Sequence, residues 1–312
     1  MIERRTIVFP DPRLRELEHP AYEARGSSDG PHVALIGGIH GCEYSSIAAV
    51  NRFMAELDTS ELAGSITAVP IVSMESFRQR SPFVVPADGK NLNRSFPGTY
   101  EGSYTDALAR SIFDHIIEPA DVLLDLHGGD LVEALEPFAI YDASPNDERA
   151  HAIAIAFGLP YVVRQELDDS GLGGMTSSAA AHAGIPAVIA EAGGCGQLED
   201  AATTMLVEGV RNVLRRLEML PGDVDPPRSR VVGKFVWSRA SQDGWWQPTV
   251  AAGEEVAEGQ LLGTLRTLYG DVVEELHATH DGVILFLTTS PAVSTGGPLL
   301  GLGAEITDGP RQ

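Results

Sequence analysis

Lysine is nearly missing from this chain. Of its 22 basic residues all but Lys90 and Lys234 are arginine, and 44 acidic residues leave a formal net charge of −22. Nucleic acids and anionic membranes are held by clustered basic side chains, so this balance argues against both as partners. The arginine bias reflects coding composition rather than mechanism, and the acidic excess reads as a solvated surface. Cysteine is scarce too. Cys42 and Cys195 are the two present; they form no C-x-x-C and no disulfide framework, and each reads as a small buried residue rather than a nucleophile. No apolar run approaches the roughly 18–20 residues of a membrane-spanning helix. The first residues, MIERRTIVFPDPRLRELE, lack the apolar core of a secretory signal. The expected compartment is the cytoplasm.

What is present is ordinary globular material, 43% hydrophobic with a mean hydropathy of −0.02. At 312 residues one large domain plus a smaller one is the natural division. From about 32 to 220 strand and helix patterns alternate. VALIGG (33–38), ITAVPIV (66–72), VLLDL (122–126), FAIY, YVV and IPAVIA read as strands. Segments 43–57, 105–117, 151–158, 177–184 and 201–220 read as helices. Such alternation predicts an α/β fold with a mixed, mostly parallel sheet flanked by helices. The Pro- and charge-rich PGDVDPPRSR (221–230) reads as a linker. The division falls at 1–225 and 226–312, the second part being a small all-β domain of short Val/Leu strands and Gly turns. Its turns resemble a lipoyl- or biotinyl-like barrel, but LHATHDG carries no lysine, which argues against a swinging-arm carrier.

In α/β sheets ligands collect at the carboxyl ends of strands. Past strand 33–36 stands GGIHGCEYSS, with His40 and Glu43; past 122–126 stands His127; past PAVIA stands Glu191. Taken alone, H-x-x-E is a strand-to-helix turn with polar residues facing water. Together, two imidazoles, one carboxylate and a further carboxylate are the inventory of a catalytic zinc site: three ligands, an open position and a proton acceptor. Gly41 would let backbone approach closely. Asp125 shares a strand face with His127 and either orients it or is a plain buried or solvated acid. DGKNLNRSFPG (88–98) contributes Asn91, Asn93 and Arg94. Its guanidinium suits a carboxylate, with amides in support; the alternative is an Asx-rich turn with a surface arginine. The other seven histidines read as structural.

Four motifs in this order, HGxE (40–43), NLNRxFPG (91–98), DLHGG (125–129) and AEAGG (190–194), resemble the succinylglutamate desuccinylase/aspartoacylase family, relatives of the zinc carboxypeptidases. The resemblance spans nearly the whole chain. It implies a zinc amidohydrolase that frees an amine from an N-acylated amino acid, with one Zn²⁺ per chain. By motif matching His40, Glu43 and His127 would bind zinc and Glu191 would be the general base. Asn93 and Arg94, supported by Asn91, would grip the substrate carboxylate. An arginine in SFRQRSPF, Arg78 or preferably Arg80, would polarise the scissile carbonyl. RQRSPFVVPADGKNLNRSFPG looks closer to the ectoine-degradation branch acting on N-acetylated diamino acids than to the aspartoacylase branch. The expected partner is a small N-acyl amino acid, with homo-oligomerisation left open. Two alternatives stand beside it, a peptide-cutting zinc carboxypeptidase and a non-catalytic binding protein on the same fold. The presence of Glu191 speaks against the latter.

Overall fold

A computed structural model describes residues 1–144, 146–166, 174–224 and 229–309. The chain opens with an antiparallel hairpin, β1 (Ile2–Ile7) and β2 (His19–Arg25), which the sequence pattern did not announce. Then come β3 (Ser28–Gly37), α1 (Tyr44–Glu56), β4 (Ala63–Val69), the short α2 (Met74–Gln79) and α3 (Tyr104–Ile112). β5 (Val122–His127), β6 (Glu133–Leu135), β7 (Phe138–Asp142), α4 (Asp147–Phe157) and β8 (Tyr161–Gln165) follow. α5 (Thr176–His182), β9 (Ala187–Glu191) and α6 (Asp200–Arg216) complete this part. Helix 105–117 was expected as one piece. The structure ends it at Ile112 and widens it into a π-turn over 113–117, where Glu118 N–H reaches back to Phe113 O.

Strand alternation explains the layering. Val33 and Leu35 join one core with Val50, Phe53, Phe157 and Leu206, drawn from α1, α4 and α6. Ala34 and Ile36 point the other way, into a second core with Leu108, Ile112 and Ala180 from α3 and α5. With successive side chains on opposite faces and both faces covered, these central strands must be apolar throughout. β4, β3, β5 and β9 run parallel side by side, whereas β7 joins β9 antiparallel, so the sheet is mixed.

The remaining strands are β10 (Arg230–Arg239), β11 (Gly244–Pro248), β12 (Glu255–Val256), β13 (Leu261–Arg266) and β14 (Val272–His277), then β15 (Gly282–Thr288), β16 (Ala292–Val293) and β17 (Pro298–Asp308). They divide between two sheets. β10 pairs in parallel with β8, from Arg230 opposite Tyr161, and β17, β15 and β12 extend the main sheet beyond it. β6 also pairs with β15, Glu133 facing Thr288. β14, β13, β11 and β16 make a separate four-stranded sheet over a core built around Trp246, whose indole N–H donates to Thr288 O. The expected division at 225/226 falls within residues 225–228, outside the described residues. None of the described helices is long and apolar enough to cross a membrane.

Candidate active site

Three side chains from two strand ends meet at one point. Donor atoms of His40, Glu43 and His127 all lie within 4.8 Å of one another. β3 ends at Gly37, and the chain turns through Gly38 at φ +64° before α1 begins after Glu43. Gly41 sits against the backbone of α2: a Cβ there would stand 2.1 Å from Phe77 N. That contact permits only glycine and brings His40 and Glu43 into one turn. His127 arrives from the last residue of β5, which is parallel to β3.

Glu43 bridges the two imidazoles. Its Oε1 stands 2.6 Å from His40 Nδ1, its Oε2 3.0 Å from His127 Nδ1. Gly128 N–H also donates to Oε2 at 3.3 Å. Behind the rings, His40 Nε2 faces Asn91 Oδ1 at 3.1 Å and His127 Nε2 faces Asp125 Oδ2 at 2.9 Å. Both oxygens are acceptors, so each Nε2 carries a hydrogen, and each Nδ1, which faces Glu43, would offer its lone pair there once a metal ion displaces its proton. Burial would raise Glu43, but the neighbouring imidazoles win and hold it down at about 2. Burial opposes charge on His127 as well, and Asp125 with Glu43 nevertheless lifts it well above 6.5. Two Nδ1 atoms and one anionic carboxylate on a common point, with hydrogen-bonded ring nitrogens behind them, suit Zn²⁺.

Glu191 ends β9, directly opposite His127 in register. Burial, reinforced by Glu43 and Glu133 and opposed by the imidazoles, pushes its carboxyl up to about 8. Such a group trades protons near neutrality.

The 91–98 loop is a single 3-10 turn over Leu92–Arg94. Asn91 Oδ1 accepts both the Asn93 N–H and the His40 ring hydrogen. The oxygen of Asn91, a residue expected to support the substrate, is thus directed at His40. Asn93 is buried and its Oδ1 accepts the Thr176 N–H at the start of α5. Arg94 is exposed at the mouth, where partial desolvation and the nearby Arg239 lower its pKa while Glu191 and Glu133 raise it. Of the two arginines in SFRQRSPF, Arg78 lies near enough to act on His19, on the other side, whereas Arg80 acts on Cys42 and Tyr44 in the His40 turn. Arg80 caps α2 at φ +53°. The segment after it is anchored by Asp130, which accepts Phe83 N–H at 2.7 Å. Cys42 is buried and its thiol is pushed up to about 11, chiefly by that burial, which leaves it unreactive.

Three residues here were not singled out from the sequence: Asp130 and Glu133, just past His127, and Arg239 from β10. Counting acids a few residues beyond His127 would have found the first two. Nothing local marks Arg239. A separate cavity of about 470 Å³ lies between Arg230, Glu255, His280 and Glu305 and contains none of the motif residues.

Residues 29–217 match the family described as the succinylglutamate desuccinylase/aspartoacylase catalytic domain. The N-alpha-acetyl-L-2,4-diaminobutyric acid deacetylase of Halomonas elongata is 30% identical over 294 residues, covering 90% of this chain and 84% of that protein. A succinylglutamate desuccinylase/aspartoacylase structure from Rhodobacter sphaeroides superposes with a TM-score of 0.84 at 26% identity, over 99% of this chain and 96% of that one. The product-bound ectoine utilization protein EutE (DoeB) of Ruegeria pomeroyi gives 0.82 at 26%, over 97% and 95%. By motif, fold and sequence, the chain belongs to the succinylglutamate desuccinylase/aspartoacylase family.

Proposed function

We propose that this protein is a zinc-dependent deacylase that hydrolyses the amide bond of a small N-acylated amino acid. The observation that carries the reading is the meeting of His40 Nδ1, Glu43 and His127 Nδ1 on one point, with Glu191 registered beside His127. When held there, a zinc ion supplies the positive charge that acidifies water and polarises a carbonyl.

The chain's own groups do the rest. Asn91 and Asp125 fix the two imidazole tautomers, so that both Nδ1 lone pairs serve the ion. Glu191 takes the proton of the attacking water and returns it to the departing nitrogen; a carboxyl near neutral pKa can do both. Arg94, with the free amide nitrogen of Asn93, receives the substrate carboxylate as a forked donor. Arg80 places its charge on the side where the carbonyl oxygen gains negative character. An N-acetyl group on a diamino acid is the favoured substrate type, following the activity in the name of the Halomonas elongata relative.

The test is a panel of N-acetyl, N-succinyl and N-formyl amino acids beside short peptides, run with zinc, cobalt or manganese added. Turnover of the acylated amino acids with bound zinc is expected. Peptide cleavage in their place would make it a carboxypeptidase, and no turnover with any metal a binding protein.

A further inference from the structure

Glu133 is the acid the reading above leaves without a task. Its backbone is fixed between the two turns that carry the chemistry. Cys195 N–H donates to Glu133 O at 2.7 Å. A Cβ on Gly129 or on Gly194 would lie 2.2 or 2.3 Å from that same oxygen. Glycines in both motif turns, after His127 and after Glu191, thus admit one carbonyl. From this position the carboxylate stands near enough to Glu43, His40, Glu191 and Arg94 for their charges to act on each other. Its Oε2 accepts Asp130 N–H at 3.0 Å. Oε1 has no hydrogen bond among the described residues, and no lysine or arginine lies within salt-bridge distance of either oxygen.

A half-buried carboxylate beside a reacting centre, with one oxygen unpaired, is costly unless a cation comes to it. Burial pushes Glu133 up to about 8. The ion of the metal site is not that cation, since Glu133 is not among the clustered donors. Near it stand Arg94 and Arg239: burial first, and then the charge of Arg239, lower the Arg94 pKa, and the second arginine comes from β10. The cleft mouth therefore pairs one spare carboxylate with two guanidiniums.

We infer that Glu133 is a specificity-determining residue whose free oxygen receives the ammonium group of the substrate side chain, while Arg94 and Arg239 share its carboxylate. The substrate class is then an N-acylated diamino acid carrying one free amine. This rests on the deacylase reading, and what it adds is the residue that selects the diamino acid.

The experiment compares kcat/KM of the zinc-loaded protein on N-alpha-acetyl-2,4-diaminobutyrate and on N-acetyl-norvaline, in which a methyl replaces the ammonium. A charge-assisted hydrogen bond discriminates by roughly 10–150-fold, and a preference of that size for the diamino substrate is expected. In Glu133→Gln the preference should collapse to about threefold or less, mainly through KM, with zinc content and melting kept. Glu133→Asp should restore part of it. Equal losses on both substrates, or a preference that survives Glu133→Gln, would overturn the assignment, as would a parent enzyme indifferent to the ammonium, which needs no variant to measure. A parent that deacylates no amino acid at all would instead sink the underlying reading.

Discussion

Gly41→Ala puts the metal turn under a direct mechanical test. The new methyl carbon would stand 2.1 Å from Phe77 N, 2.3 Å from Ser76 C and 2.5 Å from Phe77 Cα, against an ordinary contact of 3.4 Å or more. Every obstructing atom is backbone, so no side chain can swing aside. The turn and α2 must separate by about 1.3 Å, the shortfall at Phe77 N. α2 cannot retreat easily. Ser73 N–H is bonded to Gly38 O and Phe77 N–H to Ser73 O, both at 3.0 Å. The displacement therefore falls on His40 and Glu43, which flank the substitution. Overpacking of this kind costs about 1–3 kcal/mol, and misplacing a reacting group by about 1 Å costs on the order of 10²-fold in rate. Urea denaturation should register the first effect. Zinc retained after dialysis, together with kcat/KM, should register the second. Gly259→Ala is the companion: φ there is +82° but nothing lies within 4 Å of the added carbon, so only local strain of about 1–2 kcal/mol is expected. A Gly41→Ala protein with full zinc and parental kcat/KM would refute the claim that close backbone approach assembles this site.

Three further outcomes are expected. Glu191→Gln should keep its fold and its metal while losing about 10²–10⁴-fold in kcat; a rate within threefold of the parent would remove Glu191 from the chemistry. Asp125→Ala frees His127 Nε2 from its only carboxylate partner, and zinc affinity by chelator competition should fall about 10–100-fold. Unchanged affinity would mean that packing alone aims the ring. His19 is fully buried, neither ring nitrogen has a hydrogen-bond partner among the described residues, and burial lowers it from 6.5 to about 4. Its neutral form is the folded one, so the unfolded chain binds the proton first. Stability is then fully present above pH 6.5 and is lost as pH falls from there toward 4, by about 2 kcal/mol between pH 7 and 5. Urea midpoints at the two pH values should differ accordingly, and His19→Phe, which suits the ring contact with Phe9, should abolish that part of the difference.

Much of the molecule could be read along the chain because the information was local. Strand 33–36 is apolar on both faces, α1 keeps Ile47, Val50, Phe53 and Met54 on its buried side, and Gly37 and Gly38 mark the end of the strand. Polar residues immediately past buried strands were worth listing because strand ends of a parallel sheet share one rim. That is why His40, Glu43, His127 and Glu191 could be gathered without coordinates. The N-terminal hairpin was missed because β1 is mostly exposed and neither strand keeps a clean alternation.

Composition and order in the chain determined the α/β class, the family motifs and which residues to propose as metal donors. Tertiary structure alone decided which nitrogen of each imidazole faces inward, since that depends on acceptors at Asn91 and Asp125 reaching the rings. It set the Asn91 oxygen behind His40, at the start of a 3-10 turn. It also brought Glu133 and Arg239 to the cleft, through strand pairings of β6 with β15 and of β10 with β8 whose partners, such as Glu133 with Thr288 and Arg230 with Tyr161, are far apart in the chain. No periodicity encodes such a pairing; hydrogen bonds between distant edges select it only once the central sheet exists.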